Sequence, residues 1–204
     1  MTLYEFDNEY RKNYSVICGC DEAGRGPLAG DVFAAAVIFD KDTVIEEIND
    51  SKKLTAKKRE ELFDEIIEKA LDFSIQTASV AEIEKINILN SAMLAMKRAV
   101  EDLDKKPDIC LVDGNKVPEL NCKAESIVKG DAKSQAIAAA SILAKVARDR
   151  YMVEMAEKYP EYQFEKHKGY GTKLHYEMID KYGLCEIHRP SFMKKYYAKK
   201  SEQP

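Results

Sequence analysis

The sequence predicts an α/β protein with a central five-stranded mixed sheet flanked by helices and a C-terminal helical extension. Short apolar segments of strand length recur along the chain, and segments between them carry apolar residues at helical spacing. Three strands are joined by short connections, and a helix–strand–strand–helix arrangement follows them. A chain of 204 residues can bury one substantial core. The hydrophobic and charged fractions, 45% and 33%, are typical of globular proteins.

The domain organisation follows from the same pattern. We expect one domain with a helical C-terminal part over residues 1–182, and a basic tail over residues 183–204. No run of eighteen apolar residues is present, which excludes a membrane span. The first thirteen residues are polar and lack the apolar centre of a secretion signal. Five cysteines, an odd number without such a signal, predict reduced thiols and a cytoplasmic location.

The first half of the chain contains three predicted strands and three helices. Polar residues 50–55 form a loop before the helix predicted at 56–71, and Thr55 is placed to cap that helix. Cys18 and Cys20 lie on one face of the first strand. We interpret them as small core residues, since no second cysteine pair has zinc-ligand spacing. The predicted strands are 15–21, 31–39 and 73–80, with a turn at 24–30, and the predicted helices are 56–71, 80–86 and 90–103.

The second half begins with two short strands and continues with helices. The alanine-rich helix has small residues on its surface, which would let it lie close against the sheet. Thr172 is placed to cap the last helix. Three histidines, His167, His175 and His188, match no metal-ligand spacing, and we interpret them as structural or solvent-facing. The predicted strands are 109–114 and 125–128, the helices are 132–158 and 172–182, and residues 164–171 form a loop.

Carboxylates stand where strands end. Asp21 and Glu22 end the first strand, and burying such charges is costly unless they find a partner. In the predicted sheet the first and fourth strands lie side by side and parallel, so their carboxyl ends share one edge. Asp21 and Asp113 then lie a few ångströms apart, and Asp131 can join them from the start of the alanine-rich helix. Clustered carboxylates select Mg²⁺ or Mn²⁺. Two such ions about 4 Å apart can promote attack of water on a phosphodiester.

The glycine-rich turn after these acids brings backbone N–H groups close to a ligand. It is not a dinucleotide-binding loop. Residues 24–30 contain one residue too many for that motif, a strand follows instead of a helix, and the preceding acids would repel a pyrophosphate.

The formal net charge of −4 does not by itself indicate nucleic acid. The basic residues are nevertheless grouped in two places, and local positive charge can bind a polyanion even on an acidic chain. A basic cluster is more often only a solvated face. One cluster comprises Lys52, Lys53, Lys57, Lys58 and Arg59, and the other Arg189, Lys194, Lys195, Lys199 and Lys200.

Several motifs, taken together and in order, resemble those of ribonuclease HII, the type 2 ribonucleases H. The resemblance spans nearly the whole chain. The motifs are DEAGRGPLAG at 21–30, DSKKLT at 50–55, VDG at 112–114, KGDAKS at 129–134 and HKGYGT at 167–172. The resemblance implies a ribonuclease H-like fold and a two-metal endoribonuclease using Mg²⁺ or Mn²⁺. Such enzymes hydrolyse the RNA strand of RNA–DNA hybrids and nick duplex DNA 5′ to an embedded ribonucleotide, leaving 3′-hydroxyl and 5′-phosphate ends.

The resemblance also implies roles for single residues. The metal-binding catalytic acids would be Asp21, Glu22, Asp113 and Asp131. The 2′-hydroxyl of the ribonucleotide, which distinguishes RNA from DNA, would meet Gly24, Arg25 and Gly26. Tyr170 would lie against the deoxyribose after the junction. Phosphates would contact Lys52, Lys53 and Ser134.

Two alternatives and one departure from the pattern remain. A ribonuclease HIII carries an extra N-terminal domain, and only about fifteen residues precede the first strand here. An inactive nucleic-acid-binding module of the same fold would not need all four acids. Asp31 stands where we expect proline in many relatives, and it adds a charge near the site. We expect a monomer that binds RNA–DNA hybrids and ribonucleotide-containing duplex DNA; residues 201–204 show no motif for a clamp-type partner.

Overall fold

A five-stranded mixed sheet forms the centre of the molecule, as predicted. The computed structural model describes residues 1–201. The strands lie in the order β3-β2-β1-β4-β5. β1 is antiparallel to β2 and parallel to β4, β2 is antiparallel to β3, and β4 is parallel to β5. Their bounds are β1 Ile17–Ala23, β2 Val32–Ile38, β3 Asp72–Ala78, β4 Ile109–Asp113 and β5 Lys123–Ile127.

Seven α-helices accompany the sheet in the described part of the chain. The predicted caps are confirmed: the side chain of Thr55 accepts a hydrogen bond from the N–H of Lys58, and that of Thr172 from the N–H of His175. The two helices predicted at 80–86 and 90–103 form one element with a non-helical residue, Asn87, at the break. The helices are α1 Leu3–Arg11, α2 Ala56–Lys69, α3 Val80–Glu101, α4 Gln135–Lys158, α5 Phe164–His167, α6 Lys173–Tyr182 and α7 Pro190–Ser201.

The alanine-rich helix α4 lies directly against β1, as its small side chains predict. A Cβ atom on Gly19 would lie 2.1 Å from the carbonyl carbon of Ala136, so only glycine permits this crossing. One face of the sheet packs against α3, and the other packs against α2 and α4. Cys18 and Cys20 are fully buried free thiols in the first of these cores, which confirms their interpretation as core residues.

Three local elements differ from the prediction. The polar start of the chain forms α1, whose N-terminus is closed by a reciprocal pair of hydrogen bonds between Thr2 and Glu5. Helix α4 begins at Gln135 and not at Ala132, because residues 130–132 form a 3₁₀ turn after Lys129, which has a positive φ of 57°. The predicted loop at 164–171 contains the short helix α5.

The segment predicted as a basic tail contains helix α7, which packs against α6. Met193 is fully buried, and the ring of Tyr196 stacks on that of Tyr176 with centroids 4.5 Å apart. Lys200 forms an ion pair with Asp180 at 2.7 Å. The last three residues of the predicted tail, 202–204, lie outside the described residues. Within residues 1–201, none of the helices combines the length and the apolar character that crossing a bilayer requires.

Candidate active site

The carboxyl ends of β1 and β4 bring the predicted acids to one edge of the sheet. The parallel register pairs Cys20 with Val112, so Asp21 and Asp113 are the next residues on neighbouring strands. The side chain of Asp21 is buried and accepts a 2.7 Å hydrogen bond from the N–H of Glu22. The strand ends thus hold two carboxylates side by side, as the sequence predicted.

Asp131 reaches the same edge from the 3₁₀ turn that precedes α4. The backbone N–H of Gly130 donates a 2.6 Å hydrogen bond to Oδ1 of Asp113, which ties this turn to the end of β4. Lys52 lies on the other side of Asp131, with its Nζ 3.6 Å from Oδ2. The approach of a lysine to a buried acid is consistent with a local excess of negative charge.

The electrostatics of the acids fit a bound divalent cation. Burial, followed by the charges of Glu22 and Asp113, raises the pKa of Asp21 well above its usual range. Burial and then the charge of Asp113 also raise the pKa of Asp131. Asp21 and Asp113 form no ion pair with a side chain of residues 1–201. Uncompensated carboxylate oxygens that repel one another are the donor set that Mg²⁺ or Mn²⁺ accepts.

The acids do not form a complete metal-binding site by themselves. Over the described ranges, no group of three or more His, Cys, Asp or Glu side chains is arranged to hold a metal ion by itself. Mg²⁺ usually keeps several waters and takes only a few carboxylates from the protein. The open arrangement therefore suits an ion whose remaining ligands are water and substrate oxygens.

A cavity of about 230 Å³ opens above the acids and brings together most of the predicted site. Four further residues in its wall were not predicted as site residues: Ala23, Ser51, Ser141 and Lys145. The hydroxyls of Ser51 and Ser141 lie 2.9 Å apart. The lining residues are Asp21, Glu22, Ala23, Gly24, Arg25, Ser51, Lys52, Asp113, Ser141, Lys145 and Tyr170.

Tyr170 stands beside the glycine-rich turn although it comes from the other end of the chain. Its side chain is 41% exposed. A Cβ atom on Gly26 would lie 3.8 Å from Cε1 of Tyr170. The charged ends of Lys145 and Arg148 both lie 5.9 Å from the centre of its ring. An exposed aromatic face with cations beside it can contact a sugar or base of a nucleic acid.

The two remaining predicted contacts differ in their placement. Lys53 is exposed and lies next to Lys52, where a phosphate can reach it. Ser134 is fully buried, and its Oγ accepts a 3.2 Å hydrogen bond from the N–H of Ile137 at the start of α4. This placement does not favour a contact between the Ser134 side chain and a phosphate, which stays a prediction. Its hydroxyl is used as the helix cap, and no part of it faces solvent.

The three histidines are structural, and all are buried. His167 and His175 stack with ring centroids 4.3 Å apart, and Nε2 of His175 lies 3.1 Å from Nε2 of His188. Burial lowers the pKa of His175 and of His188 to about 4. They are therefore neutral near pH 7. The expectation of a structural role is confirmed, and the alternative of solvent-facing rings is wrong.

Two arginines that the sequence analysis did not place at the site hold the glycine-rich turn. Arg148 on α4 and Arg189 before α7 are both fully buried, and their guanidinium groups donate to backbone carbonyls of the turn. The sequence pattern around an arginine in a basic segment does not show whether its side chain is a buried hydrogen-bond donor or an exposed surface charge. The sequence assigned Arg189 to a surface cluster for that reason.

Comparison with known proteins places this chain in a family. The family model described as ribonuclease HII matches residues 18–195. A ribonuclease HII of Caldicellulosiruptor bescii is 60% identical over 183 residues, which cover 90% of this chain and 89% of that protein. The crystal structure of ribonuclease H2 from Pyrococcus horikoshii OT3 superposes with a TM-score of 0.76 at 26% identity, over 93% of this chain and 100% of that chain.

A second solved structure, ribonuclease HII in its complex with PCNA from Archaeoglobus fulgidus, gives a TM-score of 0.67 at 25% identity, over 85% of this chain and 93% of that chain. The fold and the acids at the sheet edge thus define a metal-dependent nuclease of the ribonuclease H class. The chain belongs to the ribonuclease HII family. The predicted fold and the predicted resemblance are both confirmed, and the alternatives of a ribonuclease HIII and of an inactive binding module are not needed.

Proposed function

We propose that this ribonuclease hydrolyses the RNA strand of RNA–DNA hybrids and nicks duplex DNA on the 5′ side of an embedded ribonucleotide. The products are a 3′-hydroxyl and a 5′-phosphate. The observation that carries the proposal is that three of the acids, Asp21, Glu22 and Asp113, line one cavity together with Gly24 and Arg25 of the glycine-rich turn. The acids suit hydrolysis of a phosphodiester, and the turn suits recognition of a hydroxyl next to it.

The acids Asp21, Glu22, Asp113 and Asp131 would hold Mg²⁺ or Mn²⁺, two ions during catalysis. Bound there, the ions would lower the pKa of water and stabilise the leaving oxygen. The protein's part is to hold the four carboxylates at fixed positions. The Gly130 N–H fixes Asp113, and the Glu22 N–H fixes Asp21. The buried histidines hydrogen-bond only within the protein, so they are not available to transfer a proton to the substrate.

Substrate recognition divides between phosphate and sugar contacts. Lys52 lines the cavity and Lys53 is exposed beside it in the sequence, and both can position phosphates without reading base sequence. Residues Gly24, Arg25 and Gly26 would meet the 2′-hydroxyl, and Tyr170 would lie against the following deoxyribose. Recognition of a 2′-hydroxyl is what separates RNA from DNA at one position.

The test is a nicking assay with three duplexes of one sequence: all DNA, DNA with a single ribonucleotide, and an RNA–DNA hybrid. We expect metal-dependent cleavage of the second and third and none of the first, with the single nick on the 5′ side of the ribonucleotide. The ends are identified by ligation and by phosphatase treatment. Absence of cleavage in both Mg²⁺ and Mn²⁺ would refute the proposal.

The cysteines and the composition of the site bear on the cellular compartment and the oligomeric state. The cysteines of residues 1–201 are free thiols, which supports a reducing compartment such as the cytoplasm. We further propose that the protein acts as a monomer, because every residue of the proposed site comes from one chain.

A further inference from the structure

Arg148 and Arg189 are unusual because each buries a charge without a carboxylate partner. Both side chains are 0% exposed, and neither forms an ion pair within residues 1–201. Removing a guanidinium from water is costly unless its donors are satisfied. An apolar side chain of similar volume would fill the same space at less cost. The contacts of the two guanidiniums therefore indicate what the charges are used for.

Every side-chain hydrogen bond of Arg189 goes to the glycine-rich turn. Its Nη2 donates to the carbonyl of Gly24 at 2.8 Å, and its Nη1 donates to those of Arg25 at 3.2 Å and Pro27 at 2.8 Å. Nε and Nη2 both donate to the carbonyl of Gly30, at 2.8 and 2.5 Å. One side chain thus holds four carbonyls of a seven-residue turn.

Arg148 holds the same turn from the other side and joins it to the loop that carries Tyr170. It donates to the carbonyls of Ala29 at 2.9 Å, Asp31 at 3.2 Å and Lys168 at 3.0 Å. Its side chain passes directly under Gly24, where a Cβ atom would lie 2.2 Å from Nε. The absence of a side chain at Gly24 is therefore required by the arginine beneath it as well as by its φ of 98°.

The direction of these carbonyls determines the direction of the donors opposite them. In a trans peptide the C=O and the N–H point to opposite sides of the chain. The carbonyls of Gly24 and Arg25 point inward to Arg189, so the N–H groups of Arg25 and Gly26, in the same peptide units, point outward. Neither N–H donates to an acceptor in the described part of the protein. Gly24 and Arg25 line the cavity that also holds the acids.

We propose that Arg189, supported by Arg148, is a positioning residue that makes this enzyme selective for a ribonucleotide. It turns two peptide planes so that their N–H groups face the substrate, and Arg148 keeps the turn in place relative to Tyr170. The inference rests on the proposed function, because the ligand of the outward N–H groups is the 2′-hydroxyl and the adjacent phosphate oxygen of a ribonucleotide.

Asp31, which stands where we expect proline in many relatives, also fits this arrangement. Its backbone carbonyl accepts from Arg148, and its side chain accepts a 3.0 Å hydrogen bond from the N–H of Val80 at the start of α3. Its negative charge partly offsets the lowering of the Arg189 pKa that burial and then the charge of Arg148 cause. The acid at this position therefore offsets part of the buried positive charge, and it does so without entering the catalytic cavity.

The experiment compares binding of two duplexes that differ in a single 2′-hydroxyl, in EDTA so that no cleavage occurs. The proteins are the wild type, Arg189→Lys, Arg148→Lys and a control, Leu103→Ala, which removes a buried side chain in the core between the sheet and α3. Lysine keeps the charge but cannot hold four carbonyls at once. We expect the ratio of affinities for the ribonucleotide duplex and the all-DNA duplex to fall by about tenfold in both lysine variants. This corresponds to the loss of one hydrogen bond to a polar ligand. Affinity for the all-DNA duplex should stay within about twofold, since phosphate contacts are untouched.

The control separates positioning from stability. Leu103→Ala should lower the melting temperature and leave the selectivity ratio unchanged. A lysine variant that keeps the wild-type ratio would overturn the inference and leave the proposed function standing. A wild-type protein that binds the two duplexes equally would also overturn the inference, and the nicking assay decides the proposed function separately.

Hydrogen exchange on the wild-type protein supplies a second test that does not depend on the variants folding. The amides of Arg25 and Gly26 should exchange fast in the free enzyme and slow down at least tenfold with the ribonucleotide duplex in EDTA. The all-DNA duplex should not protect them. Equal protection by both duplexes, or protection in the free enzyme, would contradict the proposed orientation of the two peptide planes.

Discussion

Oδ1 of Asp113 accepts a 2.6 Å hydrogen bond from the backbone N–H of Gly130. This one contact fixes the end of β4 against the turn that bears Asp131, and so it sets the position of two acids at once. The contact is tight on both sides: a Cβ atom on Gly130 would lie 2.6 Å from Cδ1 of Ile137 and 3.3 Å from Oδ1 of Asp113. Asp113 therefore has two roles, as a proposed metal ligand and as an acceptor that shapes the site.

The first prediction separates these two roles of Asp113. Asp113→Asn keeps an oxygen that can accept from Gly130 but loses the charge, so we expect cleavage to fall by about 10³-fold or more while the fold is retained. Asp113→Ala also loses the acceptor and should in addition be less stable by about 1 kcal/mol. Single-turnover cleavage and thermal unfolding of both variants test this. Near-normal turnover of the asparagine variant would remove Asp113 from the catalytic acids.

The second prediction concerns the cost of burying Asp21. Its pKa is raised in the folded protein, so the folded state holds the proton more tightly than the unfolded one. Stability therefore falls as the pH rises from the usual carboxyl pKa up to the raised pKa of the folded state. At pH 7 without metal, Asp21→Asn should therefore unfold at a higher temperature than the wild type, by roughly 2–4 °C per kcal/mol recovered.

The metal dependence of this effect is its control. Mg²⁺ should raise the melting temperature of the wild type, because an ion that binds only the folded state stabilises it. The same addition should have a smaller effect on Asp21→Asn, which should also lose cleavage. A variant that is less stable than the wild type in EDTA would show that the Asp21 charge is compensated within the protein.

Much of this site was predictable because it depends on local sequence and on strand order. The apolar segment before Asp21 and the one before Asp113 each identify a buried strand that ends on an acid. Parallel pairing of those two strands then places the acids together without further information. The caps at Thr55 and Thr172 are similarly local, since a cap depends on residues within one turn of the helix.

What the sequence did not predict depends on contacts between distant segments. Asp7 on α1 accepts a 2.9 Å hydrogen bond from the N–H of Ala136, so a residue at the start of the chain caps the helix that follows Asp131. Helix α1 was not expected because its residues are polar and its stability comes from this docking. Arg148 and Arg189 were missed for the same reason: only the fold shows that they face backbone carbonyls and not water.

The third prediction concerns the ring of Tyr170. Tyr170→Ala should reduce cleavage at a single embedded ribonucleotide by about tenfold, because an aromatic contact with the nucleic acid is worth on the order of 1–3 kcal/mol. Tyr170→Phe should retain most of the activity, since the hydroxyl has no hydrogen-bond partner within residues 1–201. Rates on the single-ribonucleotide duplex measure both. An unchanged rate for the alanine variant would argue against a role of the ring at the junction.

The fourth prediction concerns phosphate binding by Lys53. This residue is exposed and makes no ion pair with the described residues, so Lys53→Gln should disturb nothing but the substrate contact. Binding of the duplex should weaken with salt, and the slope of log K against log[salt] should become shallower by about 1 in the variant. Selectivity for the ribonucleotide should not change. Lys57→Gln, in the same cluster but already paired with Glu61, is the matched control. A salt-independent affinity of the wild type would remove the basic clusters from substrate binding.

The fifth prediction concerns the buried pair His175 and His188. Nδ1 of His188 accepts from the N–H of Cys185 at 2.9 Å, so its proton is on Nε2 and is directed at Nε2 of His175, 3.1 Å away. His175 then carries its proton on Nδ1, which donates to the carbonyl of Tyr170 at 2.9 Å. A second proton on either ring would place two N–H groups against each other. Burial lowers the pKa of both histidines to about 4. A second proton would also lack an acceptor in this arrangement.

The sign of the pH dependence follows from these values. The unfolded chain binds protons on the two histidines below about pH 6.5 and the folded protein does not, so their contribution is complete above that pH and is lost as the pH falls towards 4. Asp7, whose pKa is raised to about 6, acts in the opposite direction, and the wild-type curve contains both effects. His188→Gln keeps a donor towards His175 and removes one titrating group. The difference in unfolding free energy between the wild type and this variant should therefore shrink on acidification from pH 7 to 4.5, by on the order of 2 kcal/mol. Parallel stability curves over that range would show that His188 is not held in its neutral form by the fold.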